Sequence, residues 1–124
     1  LGTNYIVGSL RGYGVYTQSH NTTSTGNYTI TDTTGVYRLK GTMGGTGASV
    51  TINLPNPAAH DGAVLVIIID TDATTYSSSI TIKYSTTTYF AESSSNFADT
   101  VMFKSNGSSW YCIFDKNYDN EYGF

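Results

Sequence analysis

The stretch Ala63-Val64-Leu65-Val66-Ile67-Ile68-Ile69-Asp70 decides the fold, because apolar residues follow one another there with no polar partner between them. It is rich in β-branched side chains, with Asp61-Gly62 before it and Asp70-Thr71-Asp72 after it. It is too short for a buried helix or for a membrane span of about 20 residues. This is the pattern of a central strand buried on both faces, over which the rest of the chain closes.

Working back from it, Val50, Ile52 and Leu54 alternate with Thr51 and Asn53 in a half-buried strand that Pro55 and Pro57 stop. Proline has no N–H for a ladder, so Pro55 ends the strand and frees the chain to cross to a second sheet. Gly41 to Gly47 reads as a flexible connection. Before it, Tyr37 and Leu39 face inward opposite Arg38 and Lys40, and Tyr28 with Ile30 joins them across Thr33-Thr34-Gly35 as a β-hairpin. Ser19 to Gly26 reads as a polar loop, and Tyr5 with Val7 and Tyr13 with Val15 and Tyr16 open two earlier strands.

Working forward, Ile80, Ile82 and Tyr84 alternate with Thr81 and Lys83, and Tyr89-Phe90 follows a short Ser-Thr-Thr turn. Ala91 to Ala98 has room for one helical turn. Val101 and Phe103 form a strand ending at Ser105-Asn106-Gly107, a hairpin turn because Asn-Gly tolerates positive φ. Trp110, Cys112 and Phe114 then alternate on the returning strand and face the core, with Trp110 filling its end. Helical periodicity is absent, and no repeat of fixed period argues for a propeller or a β-helix. The expectation is one all-β domain over residues 1–124, an antiparallel β-sandwich or jelly roll of about 8–10 short strands.

Charged residues are 12% of the 124-residue chain and Ser with Thr about a quarter, so the surface is hydroxyl-rich and amide-rich rather than ionic. That habit belongs to extracellular, adhesive and virion proteins more than to cytosolic enzymes. A net charge of −3 with six scattered basic residues gives no patch for a nucleic-acid partner. The single cysteine, Cys112, rules out an internal disulfide framework. The opening Leu1-Gly2-Thr3-Asn4 has no signal-peptide character, so the sequence reads as a fragment or a processed chain.

No catalytic constellation emerges, and no cofactor is expected. Asp70-Thr71-Asp72 starts like a calcium loop, but the fifth, sixth and twelfth positions are Thr74, Thr75 and Thr81, so the loop pattern fails and Asp70 and Asp72 are metal candidates only for a looser site between sheets. His60-Asp61 lacks a nucleophile elbow, and His20 and His60 read as surface histidines. Cys112 reads as a small core residue. The sequons at Asn21, Asn27 and Asn106 match the number chance would give in so Ser/Thr-rich a chain. Among the eleven tyrosines, Tyr76, Tyr118 and Tyr122 lie outside the alternating strands near acids or amides, where a ring can stack on a sugar.

From Val50 onward the chain resembles the terminal β-modules of bacteriophage tail fibres and related virion fibre or head-decoration proteins. The matching residues are Val50-Thr51-Ile52-Asn53-Leu54-Pro55, Gly62 before the hydrophobic strand, Ser79-Ile80-Thr81-Ile82, and Phe103-Lys104-Ser105-Asn106-Gly107-Ser108-Ser109-Trp110-Tyr111. The resemblance implies a non-enzymatic virion module, usually trimeric, for attachment to a host-surface glycan or for structural assembly, located on a virion or outside the cell. It carries over no catalytic residue. A carbohydrate-binding module of a secreted protein and a subunit of an extracellular filament are the alternatives. Independently of the resemblance, few charges guard the strands, and Ile6, Met102 and Ile113 fall on outward positions, so a small closed homo-oligomer is expected without membrane insertion, and the resemblance implies that it is a trimer.

Overall fold

The computed structural model describes residues 16–31, 35–44, 47–73, 78–94 and 96–117. The strands expected at Tyr5, Val7, Tyr13 and Val15 lie outside the described residues, as does the outward Ile6. Among the described residues nine strands succeed one another: β1 Tyr16–Thr22, β2 Gly26–Thr29, β3 Val36–Met43, β4 Ser49–Asn53, β5 Val64–Ala73, β6 Ser79–Tyr84, β7 Thr87–Ser93, β8 Asn96–Ser105 and β9 Trp110–Asn117. The helical segment among the described residues is one 3₁₀ turn, Pro57–Ala59. Ser19 to Thr22, read as part of a loop, is strand, and the helical turn expected within Ala91 to Ala98 is the end of β7 and the start of β8.

The strands form a five-stranded sheet in the order β1-β3-β5-β8-β9 and a four-stranded sheet in the order β2-β4-β6-β7. Both are mixed, which corrects the expected antiparallel sandwich or jelly roll. The pairs β1–β3, β3–β5, β2–β4 and β4–β6 are parallel, while β5–β8, β6–β7 and β8–β9 are antiparallel. The expected hairpin across Gly35 is likewise replaced: Tyr28 pairs with Ile52 in one sheet and Val36–Lys40 pair with β1 and β5 in the other.

From β1 to β6 the chain crosses between sheets at every connection and lays each strand parallel to the one two before it. It thus winds through three stacked passes, as a solenoid does. The passes differ in length, which hides them from a period search. Gln18, Tyr37 and Ile67 are successive partners 19 and then 30 residues apart, and Asn27, Thr51 and Thr81 are 24 and then 30 apart. The part of the molecule closed by β7, β8 and β9 is antiparallel.

The central position of β5 is borne out, between parallel β3 and antiparallel β8. Its inward residues Leu65, Ile67 and Ile69 join Leu39, Val50, Ile52, Ile80, Ile82, Phe97 and Phe103 in one core between the sheets. Burying each such side chain contributes about 1.5–3 kcal/mol. On the outer face Val66 is buried and Ile68 half-buried, but Val64 is exposed, so burial on both faces holds for the middle of the strand only. Pro55 follows β4 in the four-stranded sheet and the chain re-enters the five-stranded sheet at β5, as its missing N–H predicts. Gly41, at φ +110°, is required at the β1–β3 contact, where a Cβ would sit 2.3 Å from the Thr22 carbonyl oxygen.

Candidate functional site

The best-organised surface is built around the β8–β9 hairpin. Ser105 pairs with Trp110, and the turn between them hydrogen-bonds Asn106 N–H to the Ser109 carbonyl at 3.2 Å. Gly107 alone takes positive φ here, +84°. Asn106 acts through its side chain instead, its Oδ1 accepting from the backbone of Ser108 and Ser109 at 2.9 and 2.8 Å. The Asn106 amide also donates to the Tyr111 hydroxyl at 2.6 Å.

This hairpin is clamped to the segment between β4 and β5. The Trp110 indole, 1% exposed, donates Nε1–H to the Pro55 carbonyl at 2.8 Å. The buried Ser105 hydroxyl donates to the Pro57 carbonyl at 2.9 Å, Gly62 N–H donates to the Ser105 carbonyl, and Ser105 N–H to that of Ala63. Asn56 accepts from Ala58 N–H and from the Tyr84 hydroxyl, which holds the 3₁₀ turn in place. All buried polar groups named here are thereby satisfied.

Beyond Trp110 the burial stops. Tyr111, Ile113 and Phe114 are 51, 52 and 46% exposed, and Cys112 is exposed as well. This corrects the placement of Cys112 and Phe114 in the core: Cys112 keeps the inner parity of Phe103 but is uncovered, and Phe114 is on the outer face. Two causes act together. The five-stranded sheet has one strand more than the four-stranded sheet, so among the described residues β9 has no counterpart across the core. A register shift between Met102 and Phe103 then pairs Met102 with Phe114 but Phe103 with Cys112, so Ile113 is the bulged residue and strict alternation fails. Met102 is half-buried on the outer face. The Cys112 thiol is pushed up in pKa first by partial burial and then by the nearby Asp115 carboxylate, against a lowering contact with the Phe114 carbonyl.

The opposite end of the stack holds a polar aromatic cluster. His20, on β1 rather than in a loop, is half-buried, stacks on Tyr28 with ring centroids 4.6 Å apart, and meets the Tyr37 hydroxyl through Nδ1 at 2.9 Å. Tyr37 is fully buried, and desolvation, with Tyr28 nearby, holds its phenol above the ordinary tyrosine value. Gln18 joins β1 to β2 by donating to the Thr29 carbonyl and accepting from Thr31 N–H. His60 caps the 3₁₀ turn and is also half-buried.

The sequence's other candidates do not converge. Tyr76, Tyr118 and Tyr122 lie outside the described residues. Asp70 and Asp72 stand on the outer face of β5, where Asp70 is ion-paired with Arg38 and Asp72 lies between Thr42 and Asn96 in register. Among the described residues no three His, Cys, Asp or Glu side chains are grouped to hold a metal ion. No described helix is long and apolar enough to cross a membrane. Sequence reasoning missed the exposed group Val64, Tyr111 and Phe114, although Trp110-Tyr111-Cys112-Ile113-Phe114 carries the same unbroken apolar signal as β5. No protein-family model, no curated protein and no solved structure matches the chain.

Proposed function

We propose that the chain is a non-enzymatic module of a virion fibre or head-decoration protein, working by contact rather than by chemistry. The supporting observation is that the residues carrying the resemblance are one physical unit. The Val50–Pro55 strand end, Gly62 and the Ser105–Trp110 hairpin are joined by the Trp110–Pro55 and Gly62–Ser105 hydrogen bonds. In this reading the clamp presents a rigid end of the molecule for assembly as a small cyclic homo-oligomer, a trimer by the resemblance, and for attachment to a surface glycan.

The sequence of the parent gene tests the reading: a fibrous or coiled-coil stalk encoded upstream supports it. A neighbouring glycoside-hydrolase domain there, with saturable glycan binding by a monomer in calorimetry, favours the carbohydrate-binding alternative. Turnover of polysaccharide or ester substrates that is lost with His60→Ala or Asp61→Ala would overturn any contact-only function.

A further inference from the structure

We infer that a second copy of this chain pairs with the edge of β9 that faces away from β8, strand against antiparallel strand, about a two-fold axis passing between Cys112 and Ile113. The inference does not rest on the virion reading, since a fibre, a secreted module or a filament subunit would all carry this edge.

Exposed apolar surface is concentrated here. The large exposed hydrophobic side chains among the described residues are Val64, Tyr111, Ile113 and Phe114. Three are on β9, and the fourth is two strands away in the same row, because Val64 pairs with Lys104 and Lys104 with Tyr111. Beside them runs an edge whose backbone groups have, among the described residues, a partner strand on one side only, β8. From Trp110 to Phe114 it carries no charge and no proline, the usual protections of an edge.

The pattern of β9 also selects its own copy as occupant. The bulge puts Tyr111 and Phe114 on the same outer face despite their odd spacing, since they pair with Lys104 and Met102. An antiparallel pairing that sets Tyr111 opposite the partner's Phe114 therefore matches face with face, and the two-fold axis repeats the match. Two aromatic pairs then cover all four exposed rings. The same register places Asp115 opposite the partner's Trp110, both of inner parity, and Ile113 opposite the partner's Cys112. It keeps the two Asp115 carboxylates about 17 Å apart, so no like charges meet. Sliding the strands by two residues sets Asp115 against the partner's Cys112 and parts both aromatic pairs.

The axis brings the two Cys112 α-carbons to about 6 Å, inside the range a disulfide spans, with both thiols of the same parity. This gives a direct test on the full 124-residue chain. Light scattering coupled to size exclusion at tens of micromolar is expected to return twice the 13.4 kDa chain mass. Phe114→Lys and Ile113→Lys are expected to return one chain mass with unchanged circular dichroism and, at concentrations low enough to keep the parent single, an unchanged melting curve, because both side chains are exposed in the single chain. Diamide is expected to convert the parent to a disulfide-linked pair, taking up the two electrons and two protons the thiols release, and to leave Phe114→Lys uncrosslinked at equal concentration. A single-chain mass persisting to hundreds of micromolar overturns the inference. So does a dimer that survives both substitutions, or a trimer, which would give this patch to a threefold contact and support the proposed fibre assembly instead.

Discussion

β7 and β9 lie at the same end of the two sheets, each antiparallel to its neighbour and each carrying a register shift, at Ile82/Lys83 and at Met102/Phe103. Each is fixed by one buried aromatic, Phe90 on β7 and Trp110 on β9. Away from that anchor they differ. β7 shows Thr87, Thr88, Ala91 and Ser93 to solvent, whereas β9 shows Tyr111, Cys112, Ile113 and Phe114. One large anchor is thus enough to hold an edge strand, and the remaining residues are free to finish the surface or to leave it ready for a contact.

Substitutions can break this comparison in order of size. Trp110→Ala and Phe90→Ala should each cost about 3–5 kcal/mol in urea unfolding, since both empty large buried volumes. Equal losses would show that both strands are anchored alike; a loss under about 1 kcal/mol at either would remove that strand from the scheme. Gly107→Ala should cost about 1–2 kcal/mol, because its positive φ disfavours any Cβ and that carbon would lie 3.0 Å from Asp61 Cγ. Phe114→Ala should stay within about 0.5 kcal/mol at concentrations low enough to keep the chain single, in contrast to Phe90→Ala.

A pH scan on the parent and on Tyr37→Phe probes the far end of the stack. The folded chain keeps Tyr37 protonated above its unfolded value, so the unfolded chain loses this proton first as pH rises. The stabilisation is complete below pH about 10 and declines above it, by up to about 1.4 kcal/mol per pH unit for this group. Tyr37→Phe should flatten that decline; an equally steep loss in the variant would assign it to other groups.

The strands themselves are legible in the sequence from β3 onward wherever apolar and polar residues alternate, as in Val50–Leu54 and Ile80–Tyr84, because one face of each is buried and the other is wet. The Ser85–Thr86 hairpin and the Asn106–Ser109 turn are legible from their turn residues. Sheet membership is not. Gly35 looks like a hairpin turn, yet it lies on a crossing between sheets, and local turn chemistry carries no information on which sheet receives the next strand. The unbroken run of β5 does hold a hint, since strands in parallel ladders are often apolar on both faces. His20 escapes the sequence because a strand of polar residues on an outer pass looks like a loop. The surface patch escapes it because alternation through Trp110, Cys112 and Phe114 presumes an unbroken ladder, and a one-residue bulge reverses parity midway.

The unequal passes also fix an order of events in time. Joining β3 to β5 brings together residues such as Tyr37 and Ile67, 30 apart in the chain, whereas β6–β7 and β8–β9 close across turns of a few residues. Short loops close at less entropic cost and sooner, so the two C-terminal hairpins form early and β6 and β8 become templates onto which the earlier strands dock. The polypeptide would then assemble against the direction of synthesis, from its second half toward its first. Kinetic φ-values near 0.5–0.8 for Ile82→Val and Phe103→Leu, with values below about 0.3 for Leu39→Ala, are the expected signature, and the reverse ranking would place the nucleus in the parallel passes.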